Sequence, residues 1–273
     1  MQCYKNAQKV DSVDILDRAF HYGDGFFTTA KISNDIFELK DLHFARLKLS
    51  AERLSLDVEF SLIDQTLLKL KKDFGDLNGT LKILISRGIG QRGYALPDHP
   101  ADIYIFFYPQ SYDTPEIDFI QSGVLETQIG LMSPNLVGIK SLNRLEQVIL
   151  KKESQSKAWI EALTTDMTCK VVEGVSSNCF IRINGRWITP ELRYNGVHGV
   201  MRAEILSRMQ RKGIICEIRE VNCDEISQFE SLFFCNALSP MKAVTQLGDL
   251  SLDVQPCVQL FQTLQLSQMH EYV

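Results

Sequence analysis

The stretch V-G-I-K-S-L-N-R-L-E-Q-V-I, residues 137–149, places one lysine, Lys140, between an extended segment and a helical pattern. Ser141 is a favourable N-cap residue, so the pattern predicts a helix over residues 141–157. Its predicted buried stripe consists of Leu142, Leu145 and Ile149. The sequence therefore predicts that Lys140 lies directly before the N-terminus of an amphipathic helix.

Such a position is unusual for a lysine. The helix dipole disfavours an ammonium group at the N-terminus, and the preceding apolar residues disfavour it by desolvation. Both effects favour the neutral amine, which is a nucleophile suited to Schiff-base chemistry with a carbonyl compound. Because most lysines are solvated surface charges, the ordinary alternative stays open on this pattern alone.

The composition indicates a globular protein with a small partner. The chain has 273 residues, of which 45% are hydrophobic, and a formal net charge of −5. No basic cluster indicates nucleic-acid binding, and no window is apolar enough for a membrane span. The seven cysteines are odd in number and lack CxxC spacing, which indicates neither a disulfide framework nor a zinc site. We therefore expect a soluble, cytoplasmic protein.

Strand and helix patterns mix without strict alternation, which predicts an α+β fold in two domains. We expect an N-terminal α+β domain over residues 1–110, a linker over 111–119 and a C-terminal domain over 120–273 that carries Lys140. Predicted strands include a hairpin over 26–40, 81–87, 102–109, 124–131 and a hairpin turning at Asn184-Gly185. Predicted helices include 61–74, a glycine-led helix that ends at Gly213, and a helix that Asp41 caps.

The helix after Asp41 shows apolar residues at helical spacing. A stripe of Leu42, Ala45 and Leu49 is widened by Phe44, Leu47, Ala51 and Leu54. His43 and Arg46 share one face of it, and an inward-pointing arginine suits a phosphate group. A solvated basic helix is the alternative.

Two further patterns suit an anionic cofactor that reacts with a lysine. The sequence G-V-H-G-V-M, residues 196–201, opens a helix with two glycines and leaves backbone N–H groups free to face an anion. Glu173 ends a predicted strand on the same face as Cys169 and Val171, where a carboxylate needs a partner such as a protonated pyridine nitrogen. A plain loop-to-helix junction and a solvated glutamate are the alternatives.

Together these segments resemble the fold-type IV pyridoxal-phosphate enzymes, which include D-amino acid and branched-chain aminotransferases and aminodeoxychorismate lyases. The segments that carry the resemblance are DRAFHYGDGFFTTAKI at 17–32, HFARL at 43–47, Lys140, VVEGVSSNCF at 171–180, GVHGVMR at 196–202 and FFCNALSPMKAV at 233–244. The resemblance implies a small N-terminal α/β sandwich domain, a larger C-terminal pseudo-barrel domain, pyridoxal 5'-phosphate as cofactor and a homodimer.

The resemblance also assigns cofactor roles by position. Lys140 is the Schiff-base lysine and general base, Glu173 pairs with the pyridine nitrogen, and Arg46 binds the phosphate. Backbone groups complete the phosphate cradle, and they belong to Val200, Met201, Asn236 and Ala237.

Within the family, the chain is most similar to the lyase branch. The markers are Thr28 in GDGFFTTA, where aminotransferases tend to carry an acidic residue, the loop around Arg92 and Tyr94, and the sequence around Lys140. The implied substrate is 4-amino-4-deoxychorismate, a dianion that yields 4-aminobenzoate and pyruvate. Arg92 and Tyr94 are candidates for its carboxylates, and Thr28, rather than its alternating neighbour Thr29, is the candidate to face the substrate. An aminotransferase with the same cofactor residues is the alternative.

Overall fold

The computed structural model describes residues 1–112 and 116–268, which divide into two units by their internal contacts. The first unit comprises residues 1–112 and Ile139–Asn143, and the second comprises 116–138 and 144–268. Residues 113–115 of the predicted linker lie outside the described residues, and a strand already begins at Asp118. The segment with Lys140 belongs to the first unit, although we expected it in the C-terminal domain.

The first unit combines one sheet with helices. Its elements, in chain order, are β1 (Gln2–Lys5), β2 (Gln8–Val10), α1 (Arg18–Tyr22), β3 (Gly25–Ser33), β4 (Ile36–Phe37), α2 (Lys40–Arg53), α3 (Ser61–Phe74), β5 (Gly79–Ser86) and β6 (Asp102–Pro109). The strands form an antiparallel sheet in the order β2-β1-β6-β5-β3-β4. The predicted hairpin of β3 and β4, the strands β5 and β6 and the helix over 61–74 are confirmed.

One face of this sheet carries the core of the first unit. Phe26, Ala30, Leu81 and Ile83 are buried there together with apolar residues of α2 and α3. Strand residues alternate between the two faces, so their neighbours along β3 and β5 point to the opposite side. That opposite face is only partly buried.

Helix α2 differs from its prediction in its start and its buried face. It begins at Lys40 after Leu39, which has a φ of 53°, and no side chain caps it, so Asp41 lies in the first turn instead of capping. Its buried residues are His43, Leu47, Ser50 and Ala51. The predicted stripe of Leu42, Ala45 and Leu49 is wrong, because the polar His43 and Ser50 take buried positions.

The second unit contains a larger sheet. Its elements, in chain order, are β7 (Asp118–Ser122), α4 (Leu145–Ser156), β8 (Leu163–Thr165), β9 (Val171–Gly174), β10 (Asn178–Ile183), β11 (Arg186–Pro190), α5 (Val200–Arg211), β12 (Cys216–Arg219), a 3₁₀ helix (Cys223–Gln228), β13 (Ser231–Asn236), β14 (Ser239–Leu247), β15 (Leu250–Ser251) and α6 (Gln255–Thr263). The sheet runs β12-β11-β10-β13-β14-β15, with β7 parallel to β14, and β8 pairs with β9 separately. The predicted Asn184-Gly185 hairpin is confirmed, since both residues have positive φ.

Two predictions for this region are wrong. Residues 124–131 form isolated bridges at Val124 and Ile129 instead of a strand. Helix α4 begins at Leu145 and not at Ser141, and it buries Leu150 and Ser154. Leu145 and Ile149, predicted to be buried, are 73% and 50% exposed.

The described residues show the α+β architecture that the sequence predicts. Among them, no helix combines the length and the apolar character that a membrane crossing requires.

Candidate active site

The segment that carries Lys140 is paired with the first residues of β3. The N–H of Phe27 donates to the carbonyl oxygen of Lys140 at 2.9 Å, and the N–H of Leu142 donates to that of Gly25 at 3.0 Å. Between these two hydrogen bonds, Ser141 forms an isolated antiparallel β-bridge with Phe26. The lysine is thus fixed by sheet-like pairing and lies before the start of α4, so the predicted N-cap and its dipole argument do not apply.

The amine of Lys140 lies over an aromatic ring. Its Nζ is 4.8 Å from the ring centroid of Phe27. Phe27 and Thr29 point to the partly buried face of β3, whereas Thr28 points to the core face and has no exposed surface. The amine therefore lies on the side of Thr29. Strand alternation turns the side chain of Thr28, which we predicted to face the substrate, toward α2 and away from this amine.

Thr28 instead holds the predicted phosphate ligand. Its Oγ1 accepts a hydrogen bond from Nη2 of Arg46 at 2.5 Å and lies 2.6 Å from Nδ1 of His43. Burial, and secondarily the charge of Arg46, lower the pKa of His43 to about 3. When the proton of the neutral His43 is on Nε2, Nδ1 accepts from the Thr28 hydroxyl, whose oxygen then accepts from the guanidinium of Arg46. Thr28 and His43 thus position the side chain of Arg46 through the Thr28 hydroxyl.

The loop with the predicted substrate residues has an anchored backbone. The carbonyl of Gly93 accepts from Nη1 of Arg18 at 2.9 Å, and its N–H donates to the hydroxyl of Tyr22 at 2.9 Å. Arg92 is exposed, and Tyr94 is 85% exposed while its ring lies 5.6 Å from that of Tyr22. Both side chains are therefore presented from a loop fixed at Gly93.

In the second unit, Glu173 is held as a buried carboxylate. One of its oxygens, Oε2, accepts from Nδ2 of Asn178 at 2.9 Å and from the N–H of Val197 at 3.0 Å. Its side chain lies in β9 next to Val171, as predicted. Cys169 lies in a turn with a φ of 58°, so the predicted shared face does not extend to it.

A partly buried arginine, Arg144, interacts electrostatically with this carboxylate. Burial lowers the pKa of Arg144, and the charges of Glu173 and Glu146 oppose that shift. Glu173 thus has two hydrogen-bond donors and a nearby arginine.

The N-terminus of α5 is built around glycine. Gly199 is the N-cap, and no side chain caps the first turn, which contains Val200 and Met201. A Cβ on Gly199 would lie 1.9 Å from Oδ1 of Asn178, so a larger residue would displace the amide that holds Glu173. The helix N-terminus therefore offers backbone N–H groups close to Asn178, the residue that donates to Glu173.

The turn between β13 and β14 contains the other predicted cradle residues, Asn236 and Ala237. Oδ1 of Asn236 accepts from the N–H groups of Leu238 and Ser239, each at 3.0 Å, and Nδ2 donates to the hydroxyl of Ser177 at 3.1 Å. The Asn236 side chain thus closes its own turn and ties it to the β9–β10 connection.

A second buried carboxylate, Glu161, supports that same connection. It accepts from the N–H of Ser176 at 3.0 Å and from the hydroxyls of Ser176 and Ser177 at 2.7 Å each. Glu161 is 1% exposed, so these hydrogen bonds replace the ones that its carboxylate would form with water if it were exposed.

Comparison with known proteins shows the family of this chain. A family model described as amino-transferase class IV matches residues 25–247. The chain belongs to the aminotransferase class IV family. Aminodeoxychorismate lyase from Vibrio harveyi is 30% identical over 241 residues, which cover 86% of this chain and 88% of that protein. D-alanine aminotransferase from Bacillus licheniformis is 27% identical over 264 residues, 91% of each chain.

A solved structure also matches almost the whole length. 4-Amino-4-deoxychorismate lyase from Pseudomonas aeruginosa has a TM-score of 0.86 at 30% identity, covering 98% of this chain and 100% of that one. The two-domain fold-type IV architecture is thereby confirmed.

Class IV enzymes depend on pyridoxal phosphate, and the side chains present fit this cofactor. The first unit provides an amine, Lys140, and an arginine, Arg46, that donates a hydrogen bond to the buried Thr28. The second provides a buried carboxylate, Glu173, beside an uncapped helix N-terminus. Amine, carboxylate and anion-binding groups are the donor set that this cofactor requires.

Sequence reasoning missed several residues of this class IV chain. Asn178 and Arg144 act on Glu173, Glu161 supports the β9–β10 connection, and Thr29 shares the face of the Lys140 amine. Only Thr29 had a usable signal, since strand alternation offered it as the alternative to Thr28. The others depend on contacts between elements that no local pattern contains.

Proposed function

We propose that this class IV enzyme is a lyase that converts 4-amino-4-deoxychorismate to 4-aminobenzoate and pyruvate. The proposal rests chiefly on the 30% identity, over nearly the whole chain, to the lyase from Pseudomonas aeruginosa. The exposed Arg92 and Tyr94 support it, because they offer a cation and a hydroxyl to a dianionic substrate from an anchored loop.

In this proposal each of the predicted cofactor residues has a defined role. Lys140 would hold it covalently through Nζ, and Arg46 with the N–H groups of Val200 and Met201 would bind its phosphate. Asn236 and Ala237 would complete the cradle through their backbone. Glu173 would accept a hydrogen bond from the protonated ring nitrogen and keep that proton in place. When bound, pyridoxal phosphate supplies an electron sink for the carbon that bears the substrate amine.

Lys140 is also the proposed general base. Once displaced by the substrate amine, Lys140 would have a free amine that could remove the proton from the amine-bearing carbon. The bond between the neighbouring ring carbon and the ether oxygen then breaks, and the ring becomes aromatic. The proton held by Lys140 passes to the methylene carbon of the departing enolpyruvyl group, which leaves as pyruvate. The Lys140 amine would then displace the aromatic amine from the cofactor and release 4-aminobenzoate, so the atoms balance with no second substrate.

An aminotransferase acting on D-amino acids or branched-chain amino acids is the second candidate. The similarity to D-alanine aminotransferase over 91% of the chain favours it. The same lysine, glutamate and arginine would serve that reaction, and only the loop residues and Thr28 separate the two.

The test supplies cofactor-loaded protein with 4-amino-4-deoxychorismate and no keto acid. The proposal expects 4-aminobenzoate and pyruvate in equal amounts, and neither product with Lys140→Ala. Products that appear only after a keto acid is added, or amino-group exchange between D-alanine and a keto acid without lyase products, would favour the aminotransferase.

We also propose that the protein acts as a homodimer. Large apolar side chains are exposed on the single chain at Ile15 and Phe20, 72% each, and at Leu145 and Val148 on α4. Exposed apolar surface of this kind marks protein interfaces. Light scattering after size exclusion should give twice the 31.1 kDa of one chain. A monomer at catalytic concentrations would contradict the proposal.

A further inference from the structure

Lys82 on β5 is a half-buried cation whose neighbours are aromatic rings. Its Nζ lies 4.9 Å from the ring centroid of Phe27 and 5.9 Å from that of Phe106. Among the residues that the structure describes, no carboxylate lies within ion-pair distance of it. Cation–π contact orients an ammonium group but leaves its charge uncompensated.

Lys82 shares the sheet face and the aromatic ring of Lys140. Nζ of Lys140 is 4.8 Å from the Phe27 centroid, and Nζ of Lys82 is 4.9 Å from the same point. In the register of β3 and β5, Thr29 lies opposite Lys82. The Phe27 ring, Thr29 and the two amines therefore form one surface on the partly buried side of the sheet, the Phe27 surface.

We propose that Lys82 binds one carboxylate of the substrate and thereby contributes to selection for a dianion. The inference rests on the proposed lyase function, whose substrate carries a carboxylate at each of two positions away from its amine. An amine attached near Lys140 would extend its ring over the Phe27 surface, where Lys82 is the only lysine besides Lys140 among the described residues that contact Phe27. The exposed Arg92 then remains for the second carboxylate.

A matched lysine on the same sheet shows what a structural role involves. Lys5 also lies over a ring, 5.5 Å from the centroid of Tyr104, but it forms an ion pair with Asp102 at 2.9 Å. Its charge is compensated within the protein. Lys82 has the same kind of ring contact without the carboxylate, and this difference points to a ligand.

The experiment compares Lys82→Met, Lys82→Arg and Lys5→Met with the wild type, all loaded with cofactor. Methionine retains much of the apolar stem and removes the charge. Chorismate serves as the binding probe, because its hydroxyl group replaces the amine and cannot displace Lys140. Its dissociation constant is measured by calorimetry, and KM and kcat are measured with 4-amino-4-deoxychorismate. The melting temperature and the absorption of the bound cofactor confirm an intact site.

We expect Lys82→Met to raise the chorismate dissociation constant and the substrate KM at least about tenfold, while kcat changes less than about threefold. Lys82→Arg should recover most of the affinity, and Lys5→Met should leave it unchanged. A dissociation constant and KM within about twofold of wild type in Lys82→Met would overturn the inference. So would an equal rise in Lys5→Met.

Failure of the proposed function has a different signature. A wild-type protein that neither binds chorismate nor releases 4-aminobenzoate overturns the lyase proposal, and this inference with it. If the wild-type enzyme is active and Lys82→Met has the same chorismate dissociation constant and KM, this inference alone is overturned.

Discussion

The hydroxyl of Thr28 accepts a hydrogen bond from Nη2 of Arg46 at 2.5 Å, on the buried face of β3. A strand residue thereby fixes the direction of an arginine that a helix carries. His43 completes the arrangement from the same helix, one turn before Arg46. The proposed phosphate ligand thus has its orientation set before any cofactor binds, which lowers the entropy cost of binding.

Thr28→Val should weaken cofactor binding. Valine has a similar shape but removes the hydroxyl that accepts from Arg46, so we expect the dissociation constant of pyridoxal phosphate to rise about tenfold. Thr28→Ser keeps the hydroxyl and should remain close to wild type. Titration of the apoprotein by absorbance measures both. Equal affinity of Thr28→Val and wild type would show that Arg46 does not need this support.

Thr29→Val should show the opposite pattern. Thr29 lies on the side of the Lys140 amine and away from Arg46, so its loss should leave cofactor affinity unchanged. If its hydroxyl meets the substrate, kcat/KM for the lyase reaction should fall about tenfold. Steady-state kinetics and the same absorbance titration, measured together, distinguish the role of Thr29 from that of Thr28. A cofactor defect in Thr29→Val would contradict the assignment of the two faces.

The buried His43 should make stability depend on pH. The unfolded side chain takes up a proton below its ordinary pKa of about 6.5, whereas the folded one resists protonation down to about 3. Its contribution is therefore complete above about pH 6.5 and is lost as pH falls toward 3, by up to about 1.4 kcal/mol per pH unit.

Urea unfolding of the apoprotein at several pH values between about 7.5 and 5 tests this expectation. His43→Gln lacks the titrating group and should lose less unfolding free energy over the same interval. Identical slopes for the variant and the wild type would show that His43 is protonated normally in the folded protein.

Gly199→Ala should disturb the support of Glu173. The added Cβ would lie 1.9 Å from Oδ1 of Asn178, and that amide donates to Glu173. We expect a loss of about 1–3 kcal/mol in unfolding free energy and altered absorption of the bound cofactor. Gly130→Ala is the control, because the nearest atom to its Cβ would be 3.9 Å away. Gly199→Ala with native stability and absorption would contradict the crowding seen here.

The strands and several turns could be predicted because their signals are local. Alternation and β-branched residues give β3, β5 and β6, and Asn184-Gly185 gives a hairpin since both residues accept positive φ. The helix over 61–74 was also predictable from its apolar spacing. In contrast, Lys140 and Leu142 are good helix formers, but they pair with Phe27 and Gly25 in the structure. Such non-local hydrogen bonds override local propensity, and no periodicity reveals them.

The candidate site was only partly predictable for the same reason. The motifs were sufficient to predict Lys140, Glu173 and Arg46. They did not predict all of the residues that contact these three side chains. Asn178 and Arg144 act on Glu173 from other elements, and Thr28 supports Arg46 from a neighbouring strand. The choice between Thr28 and Thr29 needed the direction of β3, which the sequence left open.

The central claim is that the amine of Lys140, held over the Phe27 ring, is the group that carries the cofactor. Borohydride reduction of the cofactor-loaded protein, followed by proteolysis and mass spectrometry, locates the attachment directly. We expect the reduced pyridoxyl phosphate mass on the peptide that contains Lys140, and its absence in Lys140→Ala. Attachment to Lys82 or Lys242 in the wild-type protein, or retention of the covalent label in Lys140→Ala, would contradict it.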